Sequence, residues 1–201
     1  MRDRRAFLLG AAALVIAPRA YSDVPSPRPS PKAEGYEAWE RLRKGGLVVL
    51  MRHAATEPGL GDPKGFSLAD CKTQRNLSHE GRRDASRIGE RFRSERVPIT
   101  QVFTSPWCRC RETAMLAFGR AEDWSPLSSF FDFPHQEAEF TERVKKRIGG
   151  YARRKPAGNV IMVTHNVNIA ALSKHSVATG EMVLMRPDGC CDAKPLERLK
   201  A

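Results

Sequence analysis

In the stretch GLVVLMRHAAT, residues 46–56, an apolar run ends abruptly on Arg52 and His53. NVIMVTH ends in the same way on Thr164 and His165, and TQVFTSP ends on Ser105 and Pro106, with Arg109 one turn into the segment that follows. A neutral imidazole is a good nucleophile near pH 7. A guanidinium presents a fork of donors that fits two oxygens of a phosphate or carboxylate. Taken singly, His165 would also suit a hydrogen-bonded core histidine, and Arg109 a solvated surface. Three strand-like segments ending in complementary polar residues instead favour one shared anion site, with two imidazoles and two guanidiniums converging on it.

The elements that must position these residues are legible in outline. Leu47 to Met51, after the Gly45-Gly46 break, has the apolar continuity of a strand buried on both faces, as in a parallel sheet. In open α/β sheets, ligands bind outside the C-terminal strand ends, where Arg52 and His53 fall. YEAWERLRKGG predicts a helix closed by glycine. Ser78 is a candidate N-cap for a helix with an apolar stripe at Ala85, Ile88 and Phe92. WCRCRETAMLAFG, QEAEFTERVKKRIGGYARR and NVNIAALSK predict further helices, and GEMVLMRP predicts a last strand. This alternation predicts an α/β domain, a three-layer αβα sandwich with a mostly parallel central sheet. The loop between His53 and Leu77 and the irregular segment 120–136 flank the strand ends and would set specificity.

The 201 residues suit one domain with a full core. Three parts are expected: a signal peptide at 1–22, a flexible Pro/Ser-rich segment at 23–34, and the domain at 35–201. The signal reading rests on a basic head, an apolar stretch from Ala6 to Ala17 and small residues at Ala20 and Ser22. Arg4-Arg5 before Phe7 and Leu8 resembles a twin-arginine address, which implies a periplasmic location. The apolar stretch is shorter than the ~20 residues that span a bilayer, so no stable span is expected after cleavage, an uncleaved anchor being the alternative. Discounting residues 1–22 lowers the net charge from +11 to +8, still a field that favours anionic partners. Nucleic acid is set aside: aromatics are 7% of the chain, no RNA-binding aromatic signature occurs, and the basic residues form no single tract.

The five cysteines (71, 108, 110, 190 and 191) are an odd number, which in an exported protein suggests one or two disulfides and a spare thiol. Cys108-Arg-Cys110 has the wrong spacing for a zinc knuckle and no Cys-x-x-Cys occurs, so no metal and no cofactor are expected.

Four segments together resemble the histidine phosphatase superfamily, the phosphoglycerate-mutase-like group. They are RHA at 52–54, with Ala54 where the family has glycine, NLSHEGRRDA at 76–85, TSPWCRCRETA at 104–114 and VTHN at 163–166. The resemblance covers about residues 44–190 and implies that His53 is the nucleophile, forming a phosphohistidine. It also implies that Arg52, Arg109 and His165 surround the phosphoryl group, with Arg75 and Asn166 as substrate contacts. The family's acid lies two residues after a leucine, but Leu127 is followed here by Ser128 and Ser129, so Asp132 is the nearest replacement, with Glu137 and His135 as alternatives. His79 and His175 are expected at the surface. Cys71 is expected to pair with Cys108 or Cys110, tying the substrate loop to the helix of Arg109.

The leading expectation is an exported, metal-independent phosphatase acting on a phosphomonoester, either a phosphorylated small molecule or an envelope glycan. One alternative is a phosphatase of lipopolysaccharide sugar or another envelope component. The other is a phosphate-ligand-binding protein of the same fold that turns over weakly.

Overall fold

The computed structural model describes residues 31–154, 156–189 and 192–201, by backbone alone at 31–34 and 192. The expected signal at 1–22 and residues 23–30 of the Pro/Ser-rich segment lie outside the described residues, as do Cys190 and Cys191. The elements run α1 (Pro31–Lys44), β1 (Val48–Arg52), α2 (His79–Ser94), β2 (Ile99–Thr104), α3 (Cys108–Phe118), β3 (Glu122–Asp123), α4 (Glu137–Arg154), β4 (Asn159–Thr164), α5 (Asn166–Ser173), β5 (Met182–Asp188) and β6 (Asp192–Leu199). The first helix begins at Pro31, where a missing N–H breaks no bond of the first turn.

The strand residues bury alternately on two faces. Val49 and Met51 join Trp39 and Leu42 of α1, Phe92 of α2 and Ala114 of α3 in one core. Val48 and Leu50 join Val144 and Ile148 of α4 and Ile169 of α5 in the other. With helices on both faces, the apolar continuity of β1 is explained and the three layers are in place.

The sheet has six strands in the order β3-β2-β4-β1-β5-β6. Pairings among β3, β2, β4 and β1 are parallel, whereas β5 runs antiparallel to β1 and β6 antiparallel to β5. The sheet is therefore mixed, parallel only on the side that carries the strand ends named above. GEMVLMRP, expected as the last strand, becomes β5, and β6 doubles back on it. β6 offers little strand pattern because charges and Pro195 interrupt it. It lies at the sheet edge, and Pro195 pairs with Met185 beside a register shift, a place where proline costs least.

Two glycines let the helices approach. The side chain of Ser78 caps α2 by accepting from the Gly81 N–H at 3.0 Å, worth about 1 kcal/mol. A Cβ at Gly81 would stand 1.8 Å from the Ala55 carbonyl oxygen, so α2 seats directly on the turn after His53. A Cβ at Gly89 would stand 2.1 Å from the Ala117 carbonyl oxygen, where α2 crosses α3.

Candidate active site

β1 delivers Arg52 and His53. The His53 N–H donates to the Thr164 carbonyl at 3.0 Å, carrying the β1–β4 pairing one residue beyond β1. Its ring Nδ1 lies 2.8 Å from the Ala54 carbonyl oxygen. A carbonyl can only accept, so Nδ1 carries the proton and Nε2 keeps its lone pair. Burial, opposed by that bond and reinforced by Arg109, Arg52 and Arg75, pushes the His53 pKa down to about 3. The ring is a neutral imidazole at ordinary pH, the protonation state a nucleophile needs.

β4 delivers His165, which is the N-cap residue of α5 and is buried. The two imidazole rings stand 5.5 Å apart, centroid to centroid. His165 Nε2 is 2.9 Å from Ser105 Oγ at the end of β2. Ser105 Oγ also accepts from the Trp107 N–H at 3.4 Å. Burial, then the charges of His53 and the arginines, holds His165 well below its usual pKa. Cys110 Sγ lies 3.6 Å from the same nitrogen, but burial pushes its pKa up to about 12, so it stays a thiol.

α3 delivers Arg109 from its first turn, buried. Its Nη1 donates to both oxygens of Asp62, at 2.8 and 3.0 Å. Asp62 also accepts from Trp107 Nε1 at 3.0 Å and from the Arg75 N–H at 2.9 Å. Burial raises the Asp62 pKa, yet these donors outweigh it and hold the carboxyl below its ordinary value. Sequence reasoning missed this residue, since an Asp-Pro pair in a Gly-rich loop carries only a turn signal.

Arg52 Nη1 donates to the Val177 carbonyl at 2.7 Å, and Arg75 Nη1 donates to Thr56 Oγ1 and the Gly59 carbonyl, both at 2.8 Å. The Nε atoms of Arg52, Arg75 and Arg109 are buried with no partner. Burial and mutual repulsion depress the pKa values of Arg52 and Arg75. The three guanidiniums and two histidines line one cavity of about 220 Å³, with Asp62 the carboxylate paired to Arg109 in its base. Surplus positive charge with unspent donors is the electrostatic form of an oxyanion cradle.

The remaining expected residues divide. Asn166 lines the cavity, but its amide is spent on the 176–177 segment: Nδ2 donates to Ser176 Oγ at 3.0 Å and Oδ1 accepts from the Val177 N–H at 2.8 Å. It thereby supports the carbonyl that holds Arg52. Asp132 is exposed and lines the cavity, as does Ser129, which occupies the position where the family pattern has its carboxylate. Glu137 and His135 are exposed and lie outside the cavity lining, and His79 and His175 are exposed, as expected.

Cys71 is bonded to Cys108, with Cα atoms 5.7 Å apart, which resolves the two partners left open by the sequence. The Cys108 N–H also donates to Gln74 Oε1 at 3.0 Å. The disulfide, Gln74 and Asp62 together fasten the loop between β1 and α2 to the start of α3, beside Arg109.

The family model of the histidine phosphatase superfamily (branch 1) matches residues 48–130. No curated protein matches the sequence significantly. Among solved structures, the fold is similar to that of the protein histidine phosphatase SixA complexed with tungstate, at 15% identity and TM-score 0.51, covering 77% of this chain and 96% of that one. It is similar to mycobacterial glucosyl-3-phosphoglycerate phosphatase at 16% identity and TM-score 0.52, covering 69% and 89%. It is also similar to Entamoeba histolytica phosphoserine phosphatase in complex with 3-phosphoglyceric acid, at 11% identity and TM-score 0.55, covering 77% and 97%.

Proposed function

We propose, from the match of residues 48–130 to the family model of the histidine phosphatase superfamily (branch 1), that the chain is a histidine phosphatase that hydrolyses a phosphomonoester through a phosphohistidine on His53. The observation that carries this is the Nδ1 bond of His53 to the Ala54 carbonyl, which leaves Nε2 unprotonated beside a cavity walled by guanidiniums.

In the proposed cycle, Nε2 of His53 forms a bond to phosphorus as the ester P–O bond breaks. Arg52, Arg75 and Arg109 hold the phosphoryl oxygens, over which negative charge is spread in the transition state, and His165 lines the cavity beside them. Fixed cations do the electrostatic work, so the step calls for no metal. Asp132 is the candidate that protonates the departing alkoxide. Water then attacks phosphorus, the P–N bond breaks, and inorganic phosphate leaves with His53 neutral again.

Export to the periplasm by the twin-arginine route belongs to the same proposal. Its supports are Arg4-Arg5 before the apolar core and the Cys71–Cys108 bond, a chemistry of oxidising compartments. An envelope phosphoester suits that location and the basic field of the chain. Replacing Arg4 and Arg5 with lysine should leave the protein in the cytoplasm by fractionation; undiminished export would rule the twin-arginine route out.

The decisive assay is 4-nitrophenyl phosphate hydrolysis by the full chain with excess chelator present. Turnover and an acid-labile phosphoenzyme are expected, both lost in His53→Ala while the folded circular dichroism signal persists. Turnover that survives His53→Ala would refute the mechanism, and phosphate binding without any turnover would favour the weakly active binding protein.

A further inference from the structure

The base and the mouth of the cavity differ in chemistry. The base holds the arginines and histidines, whereas the mouth brings Leu60 and Phe131 from two loops, and Val167 of α5 also lines the cavity. Leu60 is 86% exposed and Phe131 49% exposed. The Phe131 ring lies 3.9 Å from where a Cβ of Gly61 would stand, so the two loops meet at the rim. Gly61 has a φ of +69°, and its missing side chain serves both the turn and the room for that ring. A single exposed leucine means nothing by itself. A leucine, a phenylalanine and a valine lining one strongly cationic cavity is a different matter, because the charged base alone would call for none of them.

Charge separates mouth from base as well. Outside the arginine base, the lining carries the Asp132 carboxylate and no cation among the described residues. A second anionic group on a ligand would meet that carboxylate, and the nearest loop cation, Arg75, is held by Thr56 and the Gly59 carbonyl. The cavity, at about 220 Å³, is smaller than the roughly 300–1,000 Å³ of sites that engulf a whole ligand. The phosphoryl group and the first atoms of the alcohol therefore fill it, and the rest of the alcohol lies against Leu60 and Phe131.

We propose that the alcohol half of the ester is an apolar aryl or alkyl group without negative charge, and that Leu60 and Phe131 select it. This deepens the phosphoester reading above and rests on it for the identity of the anion in the base. Apolar surface of the alcohol leaves water against the two side chains, while a glycerate, a sugar or a second phosphate gains nothing there.

The test uses binding, which does not depend on turnover. Calorimetry of the full chain with two non-hydrolysable phosphonates, 2-phenylethylphosphonate and 2-carboxyethylphosphonate, should show the phenyl compound binding about tenfold tighter or more, on the scale of discrimination by small apolar groups. Leu60→Ser and Phe131→Ser should each cut that ratio at least about threefold. Both side chains are exposed, so the variants should fold, and circular dichroism checks it. Equal affinities, a preference for the carboxylate, or a ratio untouched by both substitutions would overturn the proposal. Hydrolysis of 4-nitrophenyl phosphate on the same samples separates the two readings. The expected ranking without turnover refutes only the phosphatase reading, and turnover without the ranking refutes only the apolar mouth.

Discussion

Two walls face each other across the cavity, and they are built by different means. The sheet wall comprises His53 and His165, residues set by backbone register at the ends of β1 and β4, with Ser105 at the end of β2 bonded to His165. The loop wall comprises Asp62 and Arg75, residues held by side-chain bonds and by a disulfide to α3. Rigid strands place the two imidazoles, and an irregular loop places Arg75 and the carboxylate that pairs with Arg109 of α3. Position in the first wall is a property of the whole core; in the second it depends on a few bonds that can be cut one at a time.

The largest break in that contrast is expected from Asp62→Asn. Asp62 and Arg109 have side chains 2% and 4% exposed, and removing one charge of such a pair costs about 3–5 kcal/mol. Chemical denaturation should show that loss. Turnover should fall on aryl and alkyl esters alike, because Arg109 loses the carboxylate that aims it. A variant as stable and active as the parent would mean that Arg109 is oriented by something else.

Asp132→Asn should leave the walls standing and act on the leaving group alone. An alkoxide must be protonated and a nitrophenolate need not be, so alkyl phosphates should slow about a hundredfold while 4-nitrophenyl phosphate changes little. Equal slowing on both esters would make Asp132 a binding residue, and no slowing on either would take the acid role from it.

Cutting the loop wall at Cys71→Ser opens a cross-link between residues 37 apart in sequence, for which about 2–4 kcal/mol is expected. If the loop wall is as separable as the geometry implies, KM should rise more than kcat falls, since Arg75 loosens while His53 stays in register. A fall confined to kcat would contradict that division.

The smallest effect is an acid response of the sheet wall. An unfolded histidine protonates near pH 6.5, whereas burial holds folded His53 down to about 3. Between those values the unfolded chain binds more protons, so stability rises with pH across the window and is lost as pH falls below about 6.5. His53→Gln removes that contribution. Between pH 6.5 and 5, the parent should lose up to about 2 kcal/mol more than the variant in denaturant titrations. Parallel curves would place the acid sensitivity elsewhere.

The same division decides what the sequence could disclose. Arg52, His53 and His165 were legible because each interrupts an apolar run at a strand end, and Arg109 because it follows a third such end by one turn. The layers were legible from the alternation of strand and helix patterns. Asp62 was not, because its role arises from three donors, Arg109, Trp107 and the Arg75 N–H, that only the folded loop brings to it. The antiparallel half of the sheet was also hidden: β6 is an edge strand, and edges tolerate the proline and charges that erase an alternating pattern. Asn166 shows a subtler gap, in which a motif position at the cavity turns its amide to a neighbouring loop instead.

The pairing of β1 with β4 has a consequence in time as well as in space. Val48 and Val160 are ladder partners 112 residues apart in sequence, and β2 and α3 are threaded between them. Contacts so distant along a chain close late, because a long loop must be ordered before they form. During synthesis His53 leaves the ribosome well ahead of His165, and without β4 it has neither the carbonyl that receives its N–H nor the second imidazole. A chain that ends before β4 therefore carries His53 on a strand without its central neighbour and a cavity without its second imidazole.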